Sequence, residues 1–524
     1  MSEHRAIFKS ASILSVFTVI SRVTGFLRSV LIANIFGTGI AAQAFFVAFK
    51  IPNMLRDVMG EGAANAAFVP VFSEYLVHKP RQDFLKLVNT LLRILLAVAA
   101  LISCLGIISA PALIRLIAPG FSTDPEKFNL TVNLTRILFP YLFLITLSAY
   151  MMSVSNALKS FAVPASSSIV FNLSLIAAIL FIGHAKAFDP IYALCAAVLA
   201  AGILQVLVQF PSLSRLGVNF SSGGVHEHPL KHESIRKIGR LILPRIMGTS
   251  IYQLNIFIDT IFASLSFFVG EGAIAAIYYA NLLIQFPFSV FGVALSNAAL
   301  PTMSAHAAKK DMDSFKTTLD FSFKAVFVCM IPLTFALVIF AAPVVRAVFE
   351  RGQFDAYSSF ITSKALFFYS LGLLGYVGVR FLSLGFYAMQ DTVTPVKTAC
   401  AALAINVVFN SIFIFVFRLG ISGLALASSI SAVSNFIMLY LRMNKRIGYA
   451  FNADFKKLLF KAACASLAMG AISLTVWRAV FKGEPSLLAM FFVGLIGAMV
   501  YFGLLWLLGV DELKGLLNWL KRKR

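Results

Sequence analysis

The chain is a succession of long apolar runs separated by short polar segments. Fourteen such runs can be drawn, at 10-36, 41-74, 88-117, 131-157, 163-183, 190-213, 236-268, 273-304, 318-348, 358-387, 394-416, 421-441, 456-480 and 487-508. Each is near or above the roughly 20 residues that carry a helix across a bilayer. Alternation of period two is absent, which argues against a β-barrel, and backbone groups in lipid must then be satisfied within helices. Several runs are long enough to tilt, kink or protrude. No small-residue cleavage site follows the first run, so it is expected to remain as a span.

Composition agrees with the pattern. The 524 residues are 59% apolar and only 13% charged, with a mean hydropathy of +0.88; soluble domains have about 25% charged residues. The net charge of +22 would suggest nucleic acid in a soluble protein. Here the basic residues gather in alternate loops: 77-86, 157-161, 215-240, 306-316, 390-397 and 441-457, together with the tail 521-524. The loops between them, among them PGFSTDPEKFN and FERGQFD, are poor in Lys and Arg. That asymmetry predicts both termini in the cytoplasm, as an even span count requires. The five cysteines show no CxxC or Cys/His spacing and read as buried thiols. His226, His228 and His232 read as part of a solvated linker, and no metal site, nucleophile-base pair or phosphate-binding loop is expected.

Landmarks recur at one offset. NAAFVP ending at Pro70 resembles NAALP ending at Pro301; Phe121 in PGF corresponds to Phe354 in GQF; Pro164 corresponds to Pro395; Phe45-Phe46 lines up with Tyr278-Tyr279, all 231 to 233 residues apart. A unit of six spans is even, so its copies share one orientation. This predicts an all-α membrane protein of 14 transmembrane helices, with two parallel six-helix lobes around a central cavity and two C-terminal helices. The expected organisation is 1-214 for the N-terminal lobe, 215-235 for a cytoplasmic linker, 236-445 for the C-terminal lobe, and 446-524 for the extra pair and the basic tail.

Against this apolar background the ionisable residues are the functional candidates. Arg22 and Arg28 lie in the first span, about 9 Å apart along the axis and about 240° apart around it. Gly25 between them is expected to permit a bend that brings them together. The second span carries Lys50, Arg56, Asp57 and Glu61, with Pro52 kinking it. Guanidinium forks suit phosphate oxygens, and several in a water-filled cavity would bind a diphosphate. Asp259 in the seventh span and Asp391 at the cytoplasmic end of the tenth are the candidates for a charge pair or a coupling cation. Lys50 and Glu61 read more readily as interfacial anchors.

The stretches SRVTGFLRSVLIANIFG (21-37), AFFVAFKIPNMLRDVMGEGAANAAFVPVFSEY (44-75), APGF and GFYAMQDTVTPVK resemble the MurJ (MviN) family of lipid II flippases, within the multidrug/oligosaccharidyl-lipid/polysaccharide exporter superfamily. The similarity runs over nearly the whole chain. It implies movement of an undecaprenyl-diphosphate-linked peptidoglycan precursor from the inner to the outer leaflet of the bacterial cytoplasmic membrane, by a monomer that is not an enzyme. It places Arg22, Arg28 and Arg56 in a cationic cavity, with Ser21 and Asn53 as polar neighbours, and gives the last two spans a groove for the lipid tail. No cofactor is implied beyond a coupling cation and the membrane potential. Lipids and cell-wall synthesis proteins are the expected partners.

The chain departs from the family pattern at four positions. Gln43 stands where many members carry an acid, and Asn281, Leu282 and Gln285 replace a charged set in the eighth span. Two alternatives follow: a flippase for another polyprenyl-linked glycan, and a diverged non-transporting scaffold of cell-wall synthesis.

Overall fold

The computed structural model describes residues 2-56, 63-183, 189-220, 224 and 232-510, with the side chains of 2-15, 55-56, 63-66, 241-252 and 294 left aside. It divides into two compact units, Met1–Leu265 and Ser266–Arg524.

The first unit holds α1 (Ser2–Phe36), α2 (Ile40–Arg56), α3 (Ala63–His78), α4 (Arg81–Ile117), α5 (Pro125–Leu138), α6 (Tyr141–Ala157), α7 (Ala162–Ile182), α8 (Pro190–Arg215) and α9 (Glu233–Ser264). Asp124 starts α5 by accepting from the Glu126 and Lys127 backbone N–H groups at 3.1 and 3.2 Å, with Pro125 in the first helical position. The segment PGFSTDPEKFN, expected to be an external loop, therefore becomes helical from Pro125. Phe68, Phe72, Phe84 and Tyr150 interlock edge to face or stacked where α3, α4 and α6 meet. The Tyr150 hydroxyl donates to the Val88 carbonyl at 2.6 Å. Ile235 and Ile238 of α9 join this cluster, while Lys237 pairs with Glu74 of α3 at 2.7 Å. By its contacts α9 thus belongs with the first unit.

The second unit holds α10 (Ser266–Val269), α11 (Ala273–Pro287), α12 (Ala294–Ala308), α13 (Met312–Ile339), α14 (Ala341–Phe349), α15 (Ala356–Leu371), α16 (Leu373–Ala388), α17 (Val393–Ser411), α18 (Ile421–Ile447), α19 (Ala453–Val480) and α20 (Leu487–Leu507). π-helical turns link α11 to α12 and extend α17. Small residues let backbones approach where lipid supplies no hydrophobic drive. A Cβ on Gly375 of α16 would fall 2.8 Å from the Val433 nitrogen of α18, and one on Gly378 would fall 2.3 Å from the Phe436 ring. Phe451 stacks on Tyr440 at 4.5 Å and on Phe455 at 4.2 Å, which fastens the turn between α18 and α19. Tyr501 of α20 donates to the Val328 carbonyl of α13 at 2.7 Å.

The expected repeat is visible in the helix starts. Arg81 and Met312, Pro125 and Ala356, Ala162 and Val393, and Pro190 and Ile421 are each 231 residues apart. Even the cap recurs: Asp355 accepts from the Ser358 N–H at 2.8 Å as Asp124 does in the first copy.

Each of the fourteen expected runs coincides with helix in the described residues. Eleven are long and apolar enough to cross a membrane by themselves, and the α15–α16 pair, bent by 45°, makes a twelfth. Two runs are less simple. The second covers α2, a shorter apolar helix, and α3, with 57-62 outside the described residues. The seventh, α9, carries Arg245 and Asp259 within its length.

Candidate functional site

Arg28, Lys50 and Lys127 of the first unit are held in three separate places. Arg28 is half-buried on the side of α1 that packs on α7, and its Nη1 donates to the Asn172 Oδ1 at 3.0 Å. The Phe171 ring lies beside the guanidinium, 5.9 Å from centroid to Cζ. Nε is buried and bonds to no described residue.

Asn172 is itself fixed. Its Nδ2 donates to the Ser21 carbonyl at 3.0 Å and reaches the Thr24 hydroxyl at 3.4 Å. A backbone carbonyl only accepts, so the amide nitrogen is assigned to that side and the oxygen faces Arg28. α1 runs unbroken through Gly25. The bend expected there does not form; the glycine instead makes room for Asn172, whose Nδ2 lies 3.3 Å from where a Cβ would be.

Arg22 is exposed on α1 and shares no bond with Arg28, as the angular offset between the two positions dictates. Ser21 takes part through its carbonyl. Asn53 is half-buried on α2. The Arg56 side chain lies outside the described residues, as do Asp57 and Glu61.

Lys50, read as an interfacial anchor, instead points into the packing between α2 and α9. Its Nζ donates to the Thr260 hydroxyl and approaches the Ile256 carbonyl at 3.5 Å. Asp259, half-buried on the same helix, is near enough for its charge to act on Lys50.

Lys127 of α5 is a third cation, which sequence reading placed in a loop and so missed. It is only 2% exposed. Its Nζ donates to the Gln43 Oε1 at 3.3 Å and sits 4.5 Å from the Phe121 ring centroid. Gln43 is therefore a buried partner of a lysine and does not line open space.

In the second unit Asn281 and Leu282 are half-buried on α11 and Gln285 is exposed. Arg380 of α16 reaches Ser296 and Asn297 at 3.4 and 3.5 Å. Asp391 is fully engaged: it accepts from the Val393 and Thr394 N–H groups and the Thr394 hydroxyl, and pairs with Arg446. Burial opposes its charge, but the Thr394 bonds, Arg446 and Val393 outweigh that and hold the carboxyl below its usual range. Among the described residues no group of acids, histidines and cysteines could hold a metal ion.

A many-spanned helical protein built from a repeated unit, with guanidinium and ammonium groups inside its helices, is the mark of a membrane transporter that handles anions. Two solved structures share the fold. One titled "Lipid II flippase MurJ, inward closed conformation" superposes with a TM-score of 0.76 at 24% identity, covering 95% of this chain and 99% of that one. An inward-facing multidrug resistance MATE family transporter of the MOP superfamily superposes at 0.70 with 14% identity, covering 83% and 98%. A family model described as "Lipid II flippase MurJ" matches residues 32-495. The lipid II flippase MurJ of Burkholderia cenocepacia is 34% identical over 514 residues, 96% of this chain and 98% of its own. The probable lipid II flippase MurJ of Haemophilus influenzae is 32% identical over 94% and 98%. The chain belongs to the lipid II flippase MurJ family.

Proposed function

We propose that this chain is a lipid II flippase of the bacterial cytoplasmic membrane, carrying the lipid-linked peptidoglycan precursor from the inner to the outer leaflet for cell-wall synthesis. Family membership over nearly the whole chain carries the reading. The chemistry agrees. The substrate head is polar and carries a diphosphate, and it must pass a hydrocarbon slab about 30 Å thick. Arg28, held inside the membrane with Nε unbonded, supplies a donor edge for a phosphate oxygen. Arg22, Arg56, Ser21 and Asn53 are assigned to the same diphosphate.

Alternating access of two lobes, with fourteen spans, both termini cytoplasmic and the tail kept in lipid by the last two helices, belongs to this proposal. So does action as a monomer. An inside-negative potential favours anion exit by about 2.3 kcal/mol per elementary charge per 100 mV. Asp259 is the residue assigned to charge compensation when the cavity resets. Asp391, already committed to a helix cap and Arg446, is the weaker choice.

The test is reversal of charge at Arg28 in purified protein in vesicles. Arg28→Glu is expected to abolish flipping while expression and stability hold; unchanged flipping would remove Arg28 from the mechanism. Complementation of a strain depleted of its own lipid II flippase separates this reading from a scaffold role, because a scaffold would not restore growth.

A further inference from the structure

Asn172 of α7 is absent from the substrate-binding set, yet among the described residues it is the side chain that accepts a hydrogen bond from Arg28. We propose that Asn172 is a positioning residue for diphosphate binding, orienting the Arg28 guanidinium with a neutral acceptor so that its Nε edge is directed to the phosphate. The inference rests on the diphosphate reading of Arg28 given above.

The geometry carries it as follows. A guanidinium has five N–H donors in a rigid plane. Asn172 takes one of them, at Nη1, at 3.0 Å. Phe171, itself buried, lies against the group at 5.9 Å. Nε and Nη2 share the remaining side-on edge, the fork that grips two oxygens of one phosphate. No described residue bonds to either of them, and Nε is buried with its hydrogen-bonding capacity unused, so an oxyanion reaches this edge in a conformation that uncovers it. An oxyanion brought to that edge would gain a bond that the protein itself leaves unmade.

The support of Asn172 is equally specific. It is 6% exposed and anchored on the Ser21 carbonyl and the Thr24 hydroxyl, about two turns and one turn before Arg28. The same carboxamide therefore ties α7 to α1 and sets the rotamer of the arginine. Glycine at 25 gives it room, since a Cβ there would lie 3.3 Å from Nδ2 and push the amide by a few tenths of an ångström.

The choice of an amide matters. A carboxylate in its place would hold Arg28 more strongly but would cancel its charge, and the charge is what recruits a diphosphate. Orientation without neutralisation is the property an amide supplies and an acid does not.

The experiment measures binding of a short-chain, water-soluble analogue of the lipid-linked diphosphate to full-length protein in detergent, beside thermal stability. Asn172→Ala is expected to weaken binding roughly tenfold or more and to have no further effect in an Arg28→Ala background. Asn172→Asp is expected to keep or raise thermal stability and still lose binding, a split that a purely structural asparagine would not produce. Equal weakening by Asn172→Ala with and without Arg28, or wild-type binding in Asn172→Asp, would overturn the inference and leave Asn172 as a packing residue. Unchanged binding in Arg28→Ala alone would instead overturn the diphosphate reading. Loss in Arg28→Ala with none in Asn172→Ala would overturn only the role assigned to Asn172.

Discussion

Replacing Gln43 by leucine removes an acceptor from the Lys127 ammonium, a residue only 2% exposed. The Gln43–Lys127 contact is 3.3 Å long, and a hydrogen bond to a charged group contributes about 1.5–3 kcal/mol. The Phe121 ring 4.5 Å away remains, so the loss should stay near that range, a 10- to 100-fold shift in the unfolding equilibrium by about 1.4 kcal/mol per tenfold. Replacing both partners, Gln43→Leu with Lys127→Met, takes the charge away with its acceptor. The double variant is then expected to recover most of the stability lost by Gln43→Leu alone, because a matched apolar pair is cheaper than a buried cation that has lost an acceptor.

Gln43→Glu is the informative third member of the series. At 3.3 Å a carboxylate would gain about 5 kcal/mol from the lysine at an effective dielectric of about 20. Desolvation of the new charge costs several kcal/mol. The two nearly cancel, so Gln43→Glu should lie within about 2 kcal/mol of the parent. Thermal unfolding in one detergent, read by intrinsic fluorescence, gives all four stabilities. A Gln43→Leu protein as stable as the parent, or a double variant no better than Gln43→Leu, would refute the view that Gln43 serves chiefly as the partner of Lys127.

Two shorter predictions follow from the same structure. A Cβ on Gly120 would lie 2.0 Å from the Ser264 carbonyl oxygen, a backbone atom that cannot swing aside, so Gly120→Ala is expected to cost about 1–3 kcal/mol or more; a thermal midpoint equal to the parent would refute the close approach of the α4–α5 turn to the end of α9. Asp391 has its folded carboxyl held below the ordinary range, so the stability it confers is complete above the ordinary carboxylate value and is lost as pH falls through the lowered one. Asp391→Asn should therefore flatten the acid side of the pH–stability curve, and an unchanged acid limb in unfolding scans would count against the Arg446 and Thr394 contacts.

The sequence made the spans legible because a bilayer imposes length and apolarity on every helix that crosses it, and the repeat was legible because fixed landmarks such as Pro164 and Pro395 survive in both copies. What escaped depends on tertiary neighbours. Lys127 falls in the polar segment between two apolar runs and so reads as loop, although Asp124 and Pro125 carry the signature of a helix start. Asn172 is a single polar residue in a run otherwise suited to lipid, and only the packing of α7 on α1 shows that it faces an arginine. Gly25 was read as a hinge because glycine loosens helices, but its smallness serves the carboxamide next to it. Lys50 was expected at an interface; its partners, Thr260 and the Ile256 carbonyl, lie more than two hundred residues away.

A common feature links two of the first unit's cations, one half-buried and one buried. Arg28 is held by the Asn172 amide and the Phe171 ring, and Lys127 by the Gln43 amide and the Phe121 ring. In both cases an amide oxygen and a π face are among the neighbours of the cation. The pairs Lys237–Glu74 and Arg446–Asp391, at the ends of helices or in turns, instead join opposite charges and leave little field behind. A cation matched by an amide keeps its formal charge, and its field reaches further in a medium of low dielectric than in water. Such a site is costly for the fold, which an apolar pair of the same volume would relieve. The cost is intelligible where an anion must be drawn into the membrane, held and then released, because an internal carboxylate would compete with the diphosphate at every step. On this view the glutamine at 43 does not by itself weaken the case for transport: it leaves the first unit more positive than an acid there would.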